Sequence, residues 1–142
     1  MTNARWSELS EAQCHALLAQ RHLGRIAVVQ NGRPLIFPVN YIVDEAQVVF
    51  RTDQGTKLDV AARGSAIAFE VDGIDEAQRA GWSVLLHGQA ELVTDPADLE
   101  RLRRQPLVPW APGAKPHYVR LRAAKLTGRR ITVADLPSTW WG

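Results

Sequence analysis

The apolar positions of this chain change their spacing after about residue 24. Before that point, Ser10 and Gln13 are spaced as in a helix capping box, ahead of a short apolar stripe. The pattern predicts a helical N-terminal region over residues 1–24, with Gly24 ending the helical segment near its C-terminus. Beyond it, the apolar residues form short runs and alternations that are typical of strands.

Six or seven strands are expected, and turn residues separate most of them. Asn31-Gly32 is a strong hairpin signal because both residues tolerate a positive φ. Pro38 lacks a backbone donor, so its strand must be interrupted, bulged or at an edge there. The predicted strands cover residues 25–30, 34–43, 47–52, 65–71, 82–93, 118–121 and 126–133, with short helices over 56–63 and 95–104, a polar connection over 72–81 and a proline-rich ordered loop over 105–116. The sequence thus predicts a mainly β protein with short α-helices, arranged as an antiparallel barrel.

The length and composition place this fold in one domain. A chain of 142 residues can bury a real core, so we expect a single domain over residues 1–142 that ends in a tail over 135–142. No run approaches the roughly 18 apolar residues of a membrane span. Cys14 is the only cysteine. An intrachain disulfide is therefore excluded, and a cytoplasmic protein without a membrane partner is expected.

The charge is small in total but unevenly distributed. The net charge is only +2, which argues against a dedicated nucleic-acid binder. Residues 101–130, however, hold nine Lys or Arg and no Asp or Glu. This basic segment could hold a phosphate-bearing ligand or form a solvated face. The four histidines are scattered, so no metal site is expected.

A candidate phosphate site follows the third predicted strand. The strand ends at Arg51 and Thr52, a glycine-containing loop comes next, and Thr56 can cap a helix that has Lys57 in its first turn. Free backbone N–H groups at a helix start suit a phosphate. A cation there is unfavourable unless an anion is near. The alternative is a capped surface helix with an incidental lysine.

Two other stretches could contact a flat ligand. The strand break at Phe37–Tyr41 leaves backbone groups that could meet the polar edge of such a ligand, although an edge strand blunted by proline is the commoner use. Trp82 and Ser83 begin a long strand, where the indole ring could flank a planar cofactor. A tryptophan of the core or of an interface is the alternative.

Taken together, these stretches resemble the pyridoxamine 5′-phosphate oxidase-like superfamily of split-barrel flavin-binding proteins, and in particular its small branch of nitroimidazole-resistance-type proteins. The resemblance runs from about Leu23 to Ile131. The motifs that carry it are Leu23-Gly24-Arg25-Ile26-Ala27, Phe37-Pro38-Val39-Asn40-Tyr41, Phe50-Arg51-Thr52 with Gly55-Thr56-Lys57-Leu58, Trp82-Ser83-Val84 with His87-Gly88, and Thr127-Gly128-Arg129.

The resemblance implies a dimeric antiparallel split β-barrel with a flavin mononucleotide (FMN) in a groove between the subunits. The residues that would hold the phosphate are Arg51, Thr52, Thr56 and Lys57, and those that would line the isoalloxazine ring are Pro38, Val39, Asn40 and Tyr41. The residues that would sit beside the cofactor are Trp82 and Ser83, and those that would come from the partner subunit are Trp110 and Arg129.

The resemblance also implies a function, with two departures from the classical oxidases. Thr56 stands where those enzymes carry an additional arginine, and their residues for pyridoxal phosphate recognition are missing, so vitamin B6 oxidation is not expected. The expected function is hydride transfer between FMN and a small planar organic substrate, without an assigned catalytic side chain. The alternatives are a reductase that uses the deazaflavin coenzyme, and a non-catalytic flavin- or haem-binding protein.

Overall fold

The computed structural model describes residues 4–56, 58–59 and 66–133. Seven strands and two helices lie in this part of the chain. In chain order they are β1 (Ala4–Glu8), α1 (Glu11–Ala19), β2 (Leu23–Gln30), β3 (Arg33–Asp44), β4 (Gln47–Thr52), β5 (Ala66–Asp75), β6 (Ala80–Leu92), α2 (Pro96–Arg103) and β7 (His117–Val133). The fold is mainly β with short helices, as the sequence predicts.

The strands form a barrel-like ring in which all pairings are antiparallel. The order is β1-β7-β4-β3-β2-β5-β6, and β6 also pairs with β7, which closes the ring, while β1 pairs with β7 alone. The ring is not evenly closed. β2 and β5 share only three register pairs, whereas β5 and β6 share ten.

The barrel interior is filled by alternate residues of these strands, because successive side chains point to opposite faces of a sheet. Ile26, Phe50 and Phe69 are fully buried in it. Helix α1 begins with the predicted capping box between Ser10 and Gln13. It packs Cys14, Leu17 and Leu18 against the same core.

The strand β1 was not expected, and the N-terminal region is helical only over Glu11–Ala19. Residues 5–8 are polar apart from Trp6, so no alternation marks a strand. β1 forms because β7 offers it a backbone ladder, with Trp6 opposite Ile131. Gly24 lies inside β2 rather than at a helix end, and an added Cβ there would collide with the Phe69 ring.

Two further strand boundaries differ from the prediction. The polar connection expected over 72–81 shortens to 76–79, because β5 and β6 stay paired as far as Asp75 and Ala80. The two closing strands are one strand, β7, with a register shift opposite His87 and Gly88. A strand can stay paired across such an irregularity, although the apolar pattern of the sequence is interrupted there and predicts two strands.

Some predictions fall outside the described residues. Most of the helix expected over residues 56–63 lies there, as does the tail over 135–142. No helix in the described part of the chain is long and apolar enough to cross a membrane.

Candidate functional site

One pocket, of about 260 Å³, brings together half of the residues proposed for the cofactor. We call it the β3–β4 pocket. It lies where β3 loses its partner on one side, since β3 pairs with β4 only from Tyr41 to Asp44. Pro38 lies in the part of β3 that is paired with β2 alone, as its missing donor predicts for an edge. The lining residues are Phe37, Pro38, Val39, Asn40, Arg51, Thr52, Asp53, Thr56, Leu58, Pro109, Ala111 and Lys115.

Asn40 presents an unused donor in this pocket. Its Oδ1 accepts a hydrogen bond from the backbone N–H of Trp110 at 2.8 Å, which fixes the orientation of the amide. The Nδ2 of Asn40 is buried and has no hydrogen-bond partner within the described residues. A buried donor without a partner is costly. A ligand acceptor in the pocket would remove that cost.

Arg51 holds the loop that forms one wall of the pocket. Its guanidinium donates to the backbone carbonyls of Lys115 at 3.0 Å, Leu107 at 3.2 Å and Ala114 at 2.9 Å. The group also stacks over the Tyr118 ring, 5.3 Å from the ring centroid. The sequence predicts Arg51 as a phosphate ligand and gives no sign of these partners, because they lie 56–64 residues away in the chain.

The loop after β4 is held by a buried carboxylate. Asp59 accepts hydrogen bonds from the Thr52 hydroxyl at 2.8 Å and from the Gly55 N–H at 2.9 Å. The Nδ1 of His117 lies 2.9 Å from the same side chain. Thr56 caps the following turn, since its Oγ1 accepts from the Asp59 N–H at 3.2 Å. The Thr52 hydroxyl is therefore engaged within the protein.

Lys115 is a cation of the pocket that sequence reasoning missed. Its backbone N–H donates to Asp53 Oδ1 at 2.6 Å, and its Nζ lies 3.1 Å from Asp53 Oδ2. These contacts, with the charge of Arg51, hold the pKa of the Asp53 carboxyl below its usual range. Lys57, the cation that the sequence indicated, lies outside the described residues.

The remaining predicted site residues lie elsewhere. Tyr41 is in the core: its hydroxyl donates to the Leu18 carbonyl at 2.6 Å, and burial raises its pKa. Trp110 is 75% exposed beside the β3–β4 pocket, to which its backbone is tied. Trp82, Ser83 and Arg129 line a different cavity.

That second cavity, of about 460 Å³, lies at β5, β6 and the end of β7, and we call it the β5–β6 cavity. It has no lining residue in common with the β3–β4 pocket. Its members are Trp6, Glu70, Asp72, Ile74, Asp75, Glu76, Arg79, Ala80, Gly81, Trp82, Ser83, Arg129 and Ile131. Burial, with the neighbouring Asp72 carboxylate, raises the pKa of Glu70 to about 7, against a lowering effect of Arg25.

Comparison with known proteins assigns the family. The family model for pyridoxamine 5′-phosphate oxidase matches residues 10–130. The chain belongs to the pyridoxamine 5′-phosphate oxidase family. Within curated proteins, an uncharacterized protein of Mycobacterium tuberculosis is 38% identical over 133 residues, which cover 90% of this chain and 86% of that protein.

Solved structures agree with the assignment to the pyridoxamine 5′-phosphate oxidase family. The FAD-binding protein of Mycobacterium smegmatis is 39% identical with a TM-score of 0.78, over 89% of this chain and 98% of that one. A Bacteroides thetaiotaomicron protein whose name associates it with 5-nitroimidazole antibiotic resistance superposes with a TM-score of 0.71, over 92% of this chain and 90% of its own. At 9% identity, that second likeness shows the fold alone.

Proposed function

We propose that this member of the family is a flavin-dependent oxidoreductase whose cofactor binds in the β3–β4 pocket. The observation that carries the proposal is the buried Nδ2 of Asn40, a donor that has no partner among the described residues, on a residue that lines that pocket. A flavin ring carries several carbonyl and imine acceptors along one edge. The similarity to the FAD-binding protein of Mycobacterium smegmatis supports a flavin as the ligand.

The other pocket residues would divide the remaining contacts. Pro38, Val39 and Asn40 would lie along the ring. Thr56, Lys57 and the positive charge of Arg51 would serve the phosphate end. Since Arg51 already donates to three carbonyls, its larger contribution would be to hold the wall formed by residues 107–115. When bound, the flavin supplies the hydride chemistry, and the protein supplies orientation and electrostatics.

The pocket alone is small for a flavin. Ligand pockets typically measure about 300–1,000 Å³, and this one measures about 260 Å³. Trp82, Ser83 and Arg129 lie in the separate β5–β6 cavity, so they would reach a flavin in this pocket from a second copy of the chain. We therefore propose a two-fold homodimer with the flavin between subunits, and a small planar organic substrate on the exposed ring face.

The experiment is a titration of purified protein with FMN, FAD, the deazaflavin coenzyme and haem, followed by calorimetry and absorbance. The decisive variant is Asn40→Asp, which keeps the acceptor for the Trp110 N–H and replaces the Nδ2 donor with an oxygen that can carry negative charge. We expect tight binding of FMN or FAD to the wild type and at least about tenfold weaker binding to Asn40→Asp, because one hydrogen bond is lost and the new charge faces the acceptors of the ligand.

The matched control is Gln89→Glu, the same chemical change on an exposed side chain of β6. It should leave flavin affinity unchanged. Equal affinities of all three proteins, with melting temperatures confirming the fold, would contradict the proposed site. A bound flavin that neither nicotinamide nucleotides nor the reduced deazaflavin coenzyme reduces would leave a binding protein and contradict the oxidoreductase assignment.

A further inference from the structure

The β5–β6 cavity has apolar walls on the outer surface of the sheet. Residues opposite one another in an antiparallel pair share a face. Trp6 lies opposite Ile131, Ile131 opposite Gly81, and Gly81 opposite Ile74. This row crosses four strands, and its three large side chains are 61%, 42% and 71% exposed in the order Trp6, Ile131, Ile74. Gly81, without a side chain, leaves a trough between the two isoleucines.

The polar groups of the cavity are mainly carboxylates. Four acids and two arginines line it, so acids outnumber bases by two. Glu70 and Asp72 point to the same face because they are two positions apart on β5. The Oδ2 of Asp72 lies 3.9 Å from a guanidinium nitrogen of Arg25, which is not among the lining residues. The remaining lining acids are Asp75 and Glu76, and the two bases are Arg79 and Arg129.

The Glu70 carboxyl has a side-chain hydrogen bond with Asp72. Among the described residues, its buried Oε1 accepts from no donor. A carboxylate oxygen is strongly stabilised by a charged N–H donor, and the cost of leaving it bare is correspondingly high. Glu70 is one of the residues that line the cavity.

Each tryptophan of the cavity has an arginine over one ring face, and the Trp82 side chain belongs to the buried core, whereas Trp6 is exposed. The Arg129 guanidinium lies 4.7 Å from the centroid of the Trp6 ring, and the Arg21 guanidinium lies 5.4 Å from that of Trp82. An aromatic face with a nearby carboxylate is the combination that recognises organic cations. A volume of about 460 Å³ is within the range of small-ligand pockets.

We propose that the β5–β6 cavity binds a flat organic cation with N–H donors, such as an aromatic amidinium or a protonated aromatic amine, with the Glu70–Asp72 carboxyl pair as its counter-charge and the exposed Trp6 indole as a wall. Trp82, Ser83 and Arg129 belong to this cavity and are also the residues proposed to meet the flavin across the subunit boundary. The ligand would therefore lie beside the flavin and define the substrate class, a step that rests on the proposed function.

The test is calorimetric titration of the purified protein with three probes of one shape and different charge: benzamidine, benzamide and benzoate. We expect benzamidine to bind about tenfold or more tightly than the other two, because only it carries the positive charge and paired donors. Glu70→Gln and Asp72→Asn should each reduce this preference, Glu70→Gln by about tenfold. Glu100→Gln, on the exposed surface of α2, is the control and should retain it.

Equal binding of the three probes, no binding of any, or a preference that survives both cavity variants would overturn the proposal. Thermal melting of each variant separates lost binding from lost folding. The result is independent of the flavin titration. Flavin binding without a benzamidine preference would remove only the substrate class, whereas a benzamidine preference without flavin binding would remove only the proposed function.

Discussion

At the scale of single residues, the polar atoms without partners are the most informative. A buried donor or acceptor without a hydrogen-bond partner usually costs about 1–3 kcal/mol, so its presence calls for a reason other than stability. Asn40 and Glu70 each carry such an atom, and each lines a cavity large enough to admit a ligand. Functional residues often lower local stability, and Asn40 and Glu70 follow this tendency.

Glu70 makes this cost measurable through pH. Its pKa in the folded protein is raised to about 7, so the folded state holds a proton that the unfolded chain has already released. Stability should therefore fall as the pH rises from about 4.5 to about 7. Arg25 on β2, Asp72 on β5, and the cavity groups Asp75, Glu76, Arg79 and Arg129 are the charges around it.

Glu70→Gln should remove this dependence. We expect the variant to be more stable than the wild type by about 1 kcal/mol at pH 8, after allowing for partial exposure, and equal to it at pH 4. Urea unfolding at pH 4, 6 and 8 measures the difference. Glu100→Gln, exposed on α2, should show no such trend. A difference in stability that stays constant with pH would mean that the pKa of Glu70 is not raised in the folded protein.

At the residue scale, the sequence could predict chemistry that depends on near neighbours. The Ser10–Gln13 capping box and the Thr56 cap are confirmed because their partners lie three residues away. The partners of Arg51 could not be predicted, since they are carbonyls of a distant loop. Glu70 was missed for a related reason: its burial depends on which strand lies beside β5.

At the scale of elements, local turn signals predicted the first hairpin, and strand pairing decided the rest. Asn31 and Gly32 adopt positive φ values of 52° and 74°, as their hairpin requires. The sequence predicted two strands in place of β7 because its alternation of apolar and polar residues is interrupted opposite His87 and Gly88, where the register between β6 and β7 shifts. Gly88 has no space for a Cβ beside the Arg122 carbonyl, so the glycine permits close contact at the irregularity.

The loop between α2 and β7 yields a prediction at this scale. Arg51 should matter for its forked geometry rather than its charge, because it joins three carbonyls of that loop. Lysine keeps the charge but lacks the fork. We expect both Arg51→Lys and Arg51→Ala to lower the free energy of unfolding by about 1.5–3 kcal/mol, and to speed proteolytic cleavage within residues 105–116.

The control for this prediction is Arg122→Ala, since that side chain is 65% exposed and pairs with Glu91 on the surface. Its effect on stability should stay below about 1 kcal/mol. If Arg51→Lys behaves like the wild type in both stability and proteolysis, the residue acts by charge alone. A phosphate contact would then be its better explanation.

At the scale of the whole molecule, the ion pairs of the basic segment 101–130 indicate its role. The basic segment 101–130 does not form a free positive surface, because several of its cations pair with acids from other elements. These pairs include Arg101 with Asp44, Lys115 with Asp53, Arg120 with Asp98, and Arg122 with Glu91. This arrangement favours a structural role for the segment over recognition of a polyanion.

Nine of the twelve predicted cofactor residues line one of two separate cavities of the chain, and a dimer is the arrangement that would reunite them. A two-fold interface exchanges the same surfaces, so each flavin would contact the β3–β4 pocket of one chain and the β5–β6 cavity of its partner. Two defective chains should then complement each other. Asn40→Asp damages the first surface, and Arg129→Glu reverses a charge on the second.

Each variant alone should bind flavin weakly, whereas a refolded equimolar mixture should recover about a quarter of the wild-type sites, since half of its dimers are mixed and each of these has one intact site. The double variant mixed with itself is the control and should recover none. Calorimetry counts the tight flavin sites per chain, and sedimentation velocity confirms that the chains are dimeric. A mixture that recovers no sites would place all flavin contacts within one chain, because only a site shared between chains can be rebuilt by exchange.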